Sequence, residues 1–142
     1  MAHVRRYSLS ARNAKADALA RLLDGGFFDV YDGTQPATAY TAVTMQTRLA
    51  SLTVANPSAP AASGGVLTIT LTRDDDADAS GTAAWFRVWK ADHTTPIFDG
   101  SVGVRDSPTY GDRYDLEMDS VELRRHAIVQ IDSFTYTEPG TE

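Results

Sequence analysis

The sequence predicts a mainly β protein, an antiparallel β-sandwich of jelly-roll-like or immunoglobulin-like kind, with one N-terminal α-helix. Three observations carry this expectation. Apolar residues fall at helical spacing once, between Leu9 and Leu23, and that pattern ends at Gly25-Gly26. Beyond Gly26 the apolar period becomes two. Strand-like segments then recur at intervals of roughly 8–15 residues with turn-forming residues between them, as in all-β sandwiches. A length of 142 residues suits one domain with one substantial core. That domain is expected to comprise an N-terminal arm and helix over 1–24 and the sandwich over 25–142.

In the helix, expected over 9–24, Leu9, Ala16, Leu19, Ala20 and Leu23 share a face, Ser8 or Ser10 can cap the first turn, and Gly25-Gly26 supplies the positive φ that ends helices. The stripe is thin and rich in Ala, so the helix needs a sheet or another subunit to lie against. Phe28 and Val30 open the first strand. Asp32-Gly33 ends it, and Pro36 keeps it from resuming because Pro has no N–H for a ladder. Residues 47–55 alternate Leu49, Ser51 and Thr53 with Ala50, Leu52 and Val54, a half-buried strand stopped by Asn56-Pro57; residues 56–65 read as a loop. The clearest strand is 66–73, with Leu67, Ile69 and Leu71 on one side and Thr68, Thr70 and Thr72 on the other.

In 83–90, Trp85, Arg87 and Trp89 alternate with Ala84, Phe86 and Val88. Both faces carry bulk, as in a central strand or one whose second face a partner covers. A turn over 92–96 leads to a strand over 97–104, interrupted by Asp99-Gly100, the dipeptide favoured in tight hairpins. Leu116 and Met118, Val121 and Leu123, then Ala127, Val129 and Ile131 follow before Phe134 and Tyr136 switch parity. A parity switch points to a bulge or to a strand crossing between two sheets.

The net charge of −6 is unevenly placed. Residues 1–24 hold Arg5, Arg6, Arg12, Lys15 and Arg21 against Asp17 and Asp24, a local +3, which leaves −9 on the rest. An acidic body repels phosphate backbones, so no nucleic-acid partner is expected. The basic N-terminal stretch reads either as a solvated helix face or as an arm that docks on an acidic neighbour. The arm reading singles out Arg5, Arg6, Leu9, Arg12, Leu19 and Leu23, with Trp89 on the sheet, and expects a homo-oligomer or repeated copies on a lattice. No run approaches the length of a membrane span and the N-terminus has no apolar h-region, so no membrane partner is expected. The chain has no Cys, which excludes disulfides, thiolate metal sites and a cysteine nucleophile and suits assembly in a reducing cytoplasm.

Reactive chemistry is sparse. The acidic run over 74–78 invites a calcium reading but lacks EF-hand spacing, since Ala79 and Trp85 stand where the loop glycine and the bidentate glutamate belong. His3, His93 and His126 are scattered, without zinc-ligand spacing. Gly100-Ser101-Val102-Gly103 misses the G-x-S-x-G elbow by one residue, and no phosphate-binding or dinucleotide fingerprint is present. No catalytic, metal or cofactor site is expected. Trp85 and Trp89 would share a strand face about 13 Å apart by ideal geometry. That face is either core and assembly interface or a platform on which sugars stack.

Four segments carry a resemblance. They are LDGGFFDVYDGTQP over 23–36, GTAAWFR over 81–87, DGSVG over 99–103 and SFTYTEP over 133–139, joined by a Pro/Ala/Gly loop and an acidic Asp/Ala segment. Together they resemble a family of small structural proteins of tailed bacteriophages and prophages, across most of the chain. The pattern departs between 104 and 130, where relatives look shorter and richer in Gly while this chain has Tyr110, Arg113, Tyr114 and Arg124-Arg125-His126. The resemblance implies a non-enzymatic virion component, an accessory protein of the head, connector or neck, or tail, with other virion proteins as partners, made and assembled in the bacterial host cytoplasm. The alternative is a glycan-binding β-sandwich module of a tail fibre or host-surface adhesin.

Overall fold

The computed structural model describes residues 5–105, 114–131 and 134–140. It is mainly β with one helix. Helix α1 (Leu9–Leu23) starts at Ser8, whose Oγ accepts the Ala11 N–H at 3.1 Å. The helix ends where Gly25 takes φ +68°. Gly26 meets a second demand, because a Cβ there would stand 2.2 Å from the carbonyl oxygen of Trp89. The helix terminus is thereby laid directly onto a strand.

Among the described residues ten strands follow: β1 (Phe27–Tyr31), β2 (Arg48–Val54), β3 (Val66–Ile69), β4 (Leu71–Thr72), β5 (Gly81–Thr82), β6 (Trp85–Trp89), β7 (Pro96–Val104), β8 (Leu116–Met118), β9 (Glu122–Leu123) and β10 (Phe134–Thr137). The main sheet has the order β4-β2-β1-β6-β7-β8, while β10 pairs with β3 and β5 with β9. Because β7 and β8 run parallel, the sheet is mixed, a departure from the wholly antiparallel expectation.

Register decides which side chains face the core. Phe28 lies opposite Leu52 and Val88, and Val30 opposite Ala50 and Phe86, so one face of the central strands is continuously apolar. Phe134 of β10 covers it, edge-on to Phe28 and Phe86 at 5.3 and 5.5 Å between ring centroids. Helix α1 packs beside β3, and Ala16, Ala20 and Leu23 join the same core cluster as Phe28, Leu52, Leu67 and Phe86. The helical stripe is therefore used inside the chain. A thin Ala stripe suits this, because small side chains let the helix sit close to the sheet layer.

Three local expectations are corrected. The single strand expected over 66–73 breaks at Thr70, whose N–H donates to Ser58 O at 2.8 Å and whose carbonyl accepts from Ala55 N at 3.0 Å. Its halves serve different sheets, β3 with β10 and β4 with β2. The bulge or crossing expected at the C-terminal parity switch between Ile131 and Phe134 falls on 132–133, outside the described residues. Asp99-Gly100 makes no hairpin but sits within β7, where Gly100 faces Phe86 and a Cβ would approach that ring to 2.3 Å. The glycine is there for close packing. Residues 121–131 yield only β9 and a bridge between Val129 and Asp74, less strand than their alternation suggested. His3, Tyr110, Arg113 and Ser133 lie outside the described residues.

Candidate assembly surface

The second face of the main sheet is polar at its centre and lies under the chain's own segment 32–47. Alternation in β1, β6 and β7 that sends Phe28, Phe86 and Phe98 inward sends Asp29, Arg87 and Asp99 outward, in adjacent register. Arg87 and Asp29 are each about 1 % exposed. The Arg87 guanidinium donates to both oxygens of Asp99, at 2.6 and 2.9 Å, and to the carbonyls of Thr41 and Thr38 at 2.8 and 3.3 Å. It also lies between the indole rings of Trp85 and Trp89, 5.4 and 5.5 Å from their centroids. A planar five-donor group can satisfy a carboxylate and two carbonyls at once, which an ammonium could not do with this geometry.

Those carbonyls belong to the segment that Asp32 and Thr47 close. The Asp32 carboxylate accepts the Thr47 N–H at 2.6 Å, its carbonyl accepts the Trp85 indole N–H at 2.9 Å, and the Gln46 amide donates to Thr34 O at 2.6 Å. Pinned at its neck and centre, the segment points Tyr40 and Met45 outward at 91 and 93 % exposure.

Asp29 gathers a second group on the same face. It accepts from Ser51 Oγ at 2.5 Å and from the Tyr31 hydroxyl at 3.4 Å, and it meets His93 Nε2 at 2.7 Å. Arg48 stands 3.8 Å away. The residue types are those of a hydrolase, but the order is wrong: Asp29 is the hub, and the Ser51 proton is directed to the carboxylate with no His beside the hydroxyl. Burial first, then the Asp29 charge, pushes the Tyr31 hydroxyl up to about 12, which leaves it a neutral donor. The arrangement holds the sheet face together.

The residues singled out from sequence part company here. Arg6 and Leu9 are exposed, as is Arg5. Arg12 turns inward, donating twice to the Glu138 carbonyl at 3.1 Å, and Lys15 pairs with the Glu138 carboxylate at 2.7 Å. Leu23 is fully buried and Leu19 packs against the core. These two, with Arg12, face the chain's own interior, whereas Arg5, Arg6, Leu9, Arg21 and Leu22 are exposed. Trp89 sits partly exposed at the rim of the polar face, edge-on to His93. Trp85 is fully buried, stacked on Tyr31 at 4.5 Å, and offers no ring for a sugar. The carboxylates of the acidic run are engaged by the Ser51 and Asp76 N–H groups, Arg73, His126 and Arg48. Among the described residues no three such side chains are placed to hold a metal ion, and no helix is long and apolar enough to cross a membrane.

The clamp and its segment were not anticipated from sequence, although the signal was present. An Arg between two Trp at strand spacing, with an Asp in the next strand, marks a covered charge. No family model, curated protein or solved structure matches the chain.

Proposed function

We propose that the protein is a non-enzymatic structural component of a tailed-bacteriophage virion, an accessory protein of the head, connector or tail that works in repeated copies through protein–protein contacts. The observation that carries this reading is the 33–46 segment, which a buried ion pair holds in place while Tyr40 and Met45 face outward. An enzyme invests buried charge around a reacting atom; here it fixes a surface. Three of the segments that carry the phage resemblance also meet at this place, contributing Tyr31 and Asp32, Trp85 and Arg87, and Asp99. Sequence likeness and the presented surface thus point the same way. The β layers are read as a sandwich, with β3 and β10 as the smaller layer, in the jelly-roll-like or immunoglobulin-like class.

The test is quantitative mass spectrometry of purified virions, wild type against Tyr40→Ser/Met45→Ser. Wild type should appear at a fixed copy number. The double variant should fold with an unchanged melting temperature and be depleted from particles. Absence of the wild-type chain from particles, or normal incorporation of the variant, contradicts the proposal.

A further inference from the structure

A groove of about 420 Å³, lined by no residue of the 33–46 segment, opens between β8, β9 and residues 128–131. Met118, Leu123 and Ile128 give it an apolar floor and lip, and Ile128 remains 59 % exposed. Three carboxylates, Glu117, Asp119 and Glu122, stand around it. Among the described residues only Asp119 meets a cation, Arg105 at 3.7 Å, while Glu122 accepts from the Thr82 hydroxyl. Arg105 lines the groove beside Asp119, whereas Arg124 and Arg125 do not line it. A mostly polar groove with Ile128 exposed on its lip, and with Glu117 and Glu122 meeting no cation among the described residues, fits an apolar side chain next to a cation.

The outward side of α1 presents that combination. Leu22 is 47 % exposed, and Arg21 beside it, in the last helical turn, has no ion-pair partner among the described residues. Arg6 adds a further exposed cation at the helix's other end. The buried stripe of α1 is used by the core, which leaves Arg21 and Leu22 on its outward side.

We infer that the groove receives the Arg21–Leu22 corner of α1 from a second copy of this chain, Leu22 entering between Met118 and Ile128 and Arg21 meeting Glu117 and Glu122. Donor and acceptor are different patches, so the contact is heterologous and repeats head to tail, giving a ring if its rotation closes and a filament if it does not. This deepens the virion reading and rests on it for its biological setting, but the contact itself belongs to the purified chain.

The experiment is sedimentation equilibrium of the full chain at low and high salt, for wild type, Arg21→Glu, Glu117→Arg/Glu122→Arg, and the chain carrying all three changes. Circular dichroism and melting temperature serve as folding controls. Wild type should self-associate more strongly at low salt. Each charge reversal should weaken association at least tenfold with an unchanged melt, and the triple variant should recover most of the loss. A wild type that stays monomeric at millimolar concentration, reversals that associate like wild type, or a triple variant that folds but shows no recovery overturns the inference. Mass spectrometry of virions separates the two proposals. Normal incorporation of Arg21→Glu sinks the contact alone, whereas association with charge-swap recovery in a chain absent from particles sinks the virion reading alone.

Discussion

Replacing Arg87 by Ala should loosen the 33–46 segment and cost a large part of the fold's stability. The side chain makes two bonds to Asp99 and two to segment carbonyls, all shielded from water. Without it the Asp99 carboxylate, about 5 % exposed as a side chain, loses its partner. Removing one member of a buried pair costs about 3–5 kcal/mol. A fold of this length is stable by roughly 7–20 kcal/mol, so the variant should remain folded with a visibly lowered urea midpoint. Hydrogen exchange adds the spatial readout: amides near Thr38 and Thr41 should lose protection while those of β2 and β3 keep theirs. Arg87→Met/Asp99→Leu removes both charges and should cost less than Arg87→Ala, because no unpaired carboxylate is left behind. A loss under about 1 kcal/mol for Arg87→Ala, or unchanged protection at 38–41, would refute the clamp.

Gly26→Ala drives a Cβ into the Trp89 carbonyl oxygen, a backbone atom that cannot step aside; denaturation should show a loss of at least about 1–3 kcal/mol, and a neutral variant would contradict the close approach. Leu23→Ala should cost about 2–5 kcal/mol, as for a buried leucine, and deletion of 1–24 should unfold the chain; a folded truncation would return the helix to the role of a detachable arm. Burial raises Tyr31 and Tyr136 to about 12, the neighbouring carboxylates Asp29 and Glu138 adding to it. Both tyrosines therefore favour the folded state fully below pH 10, and that contribution fades as pH rises from 10 through 12; ultraviolet titration should show two tyrosines ionising late, and titration of every tyrosine near 10 in a folded protein would argue against their burial. The Lys15 ammonium and then the Tyr136 hydroxyl hold Glu138 below its ordinary 4.5. Its contribution is present above that value and lost as pH falls through the lowered one, so Lys15→Met should shift acid unfolding to higher pH, an effect expected to be modest for a pair at the helix surface.

Much of the fold is written in local pattern. Ser8, the 9–23 spacing and Gly25 define the helix because capping and glycine chemistry act over a few residues, and the two-residue periods place β1, β2, β6 and β10. What local pattern does not carry is partner choice. Thr70 alternates perfectly within 66–73, yet its backbone bonds go to Ala55 and Ser58, and only the path of the 56–65 loop decides that the strand divides there. Asp99-Gly100 has hairpin wording, but Phe86 on the neighbouring strand needs the space of a missing Cβ. The parallel pairing of β8 with β7 is likewise not written in its three residues. At the candidate surface, Trp89 was legible as a sheet-face residue, whereas the clamp was not, since Arg87 and Asp99 become a pair only once β6 and β7 are side by side. The charge asymmetry drew attention to the helix, but the inward turn of Arg12 and Lys15 depends on Glu138, more than a hundred residues away.

Electron cryomicroscopy of the assembled virion tests the central claim most directly. The account predicts density for this fold in repeated, symmetry-related copies, with Tyr40 and Met45 buried against a neighbouring subunit. Particles in which the chain is absent, or in which the 33–46 segment of every copy faces open solvent, would contradict it.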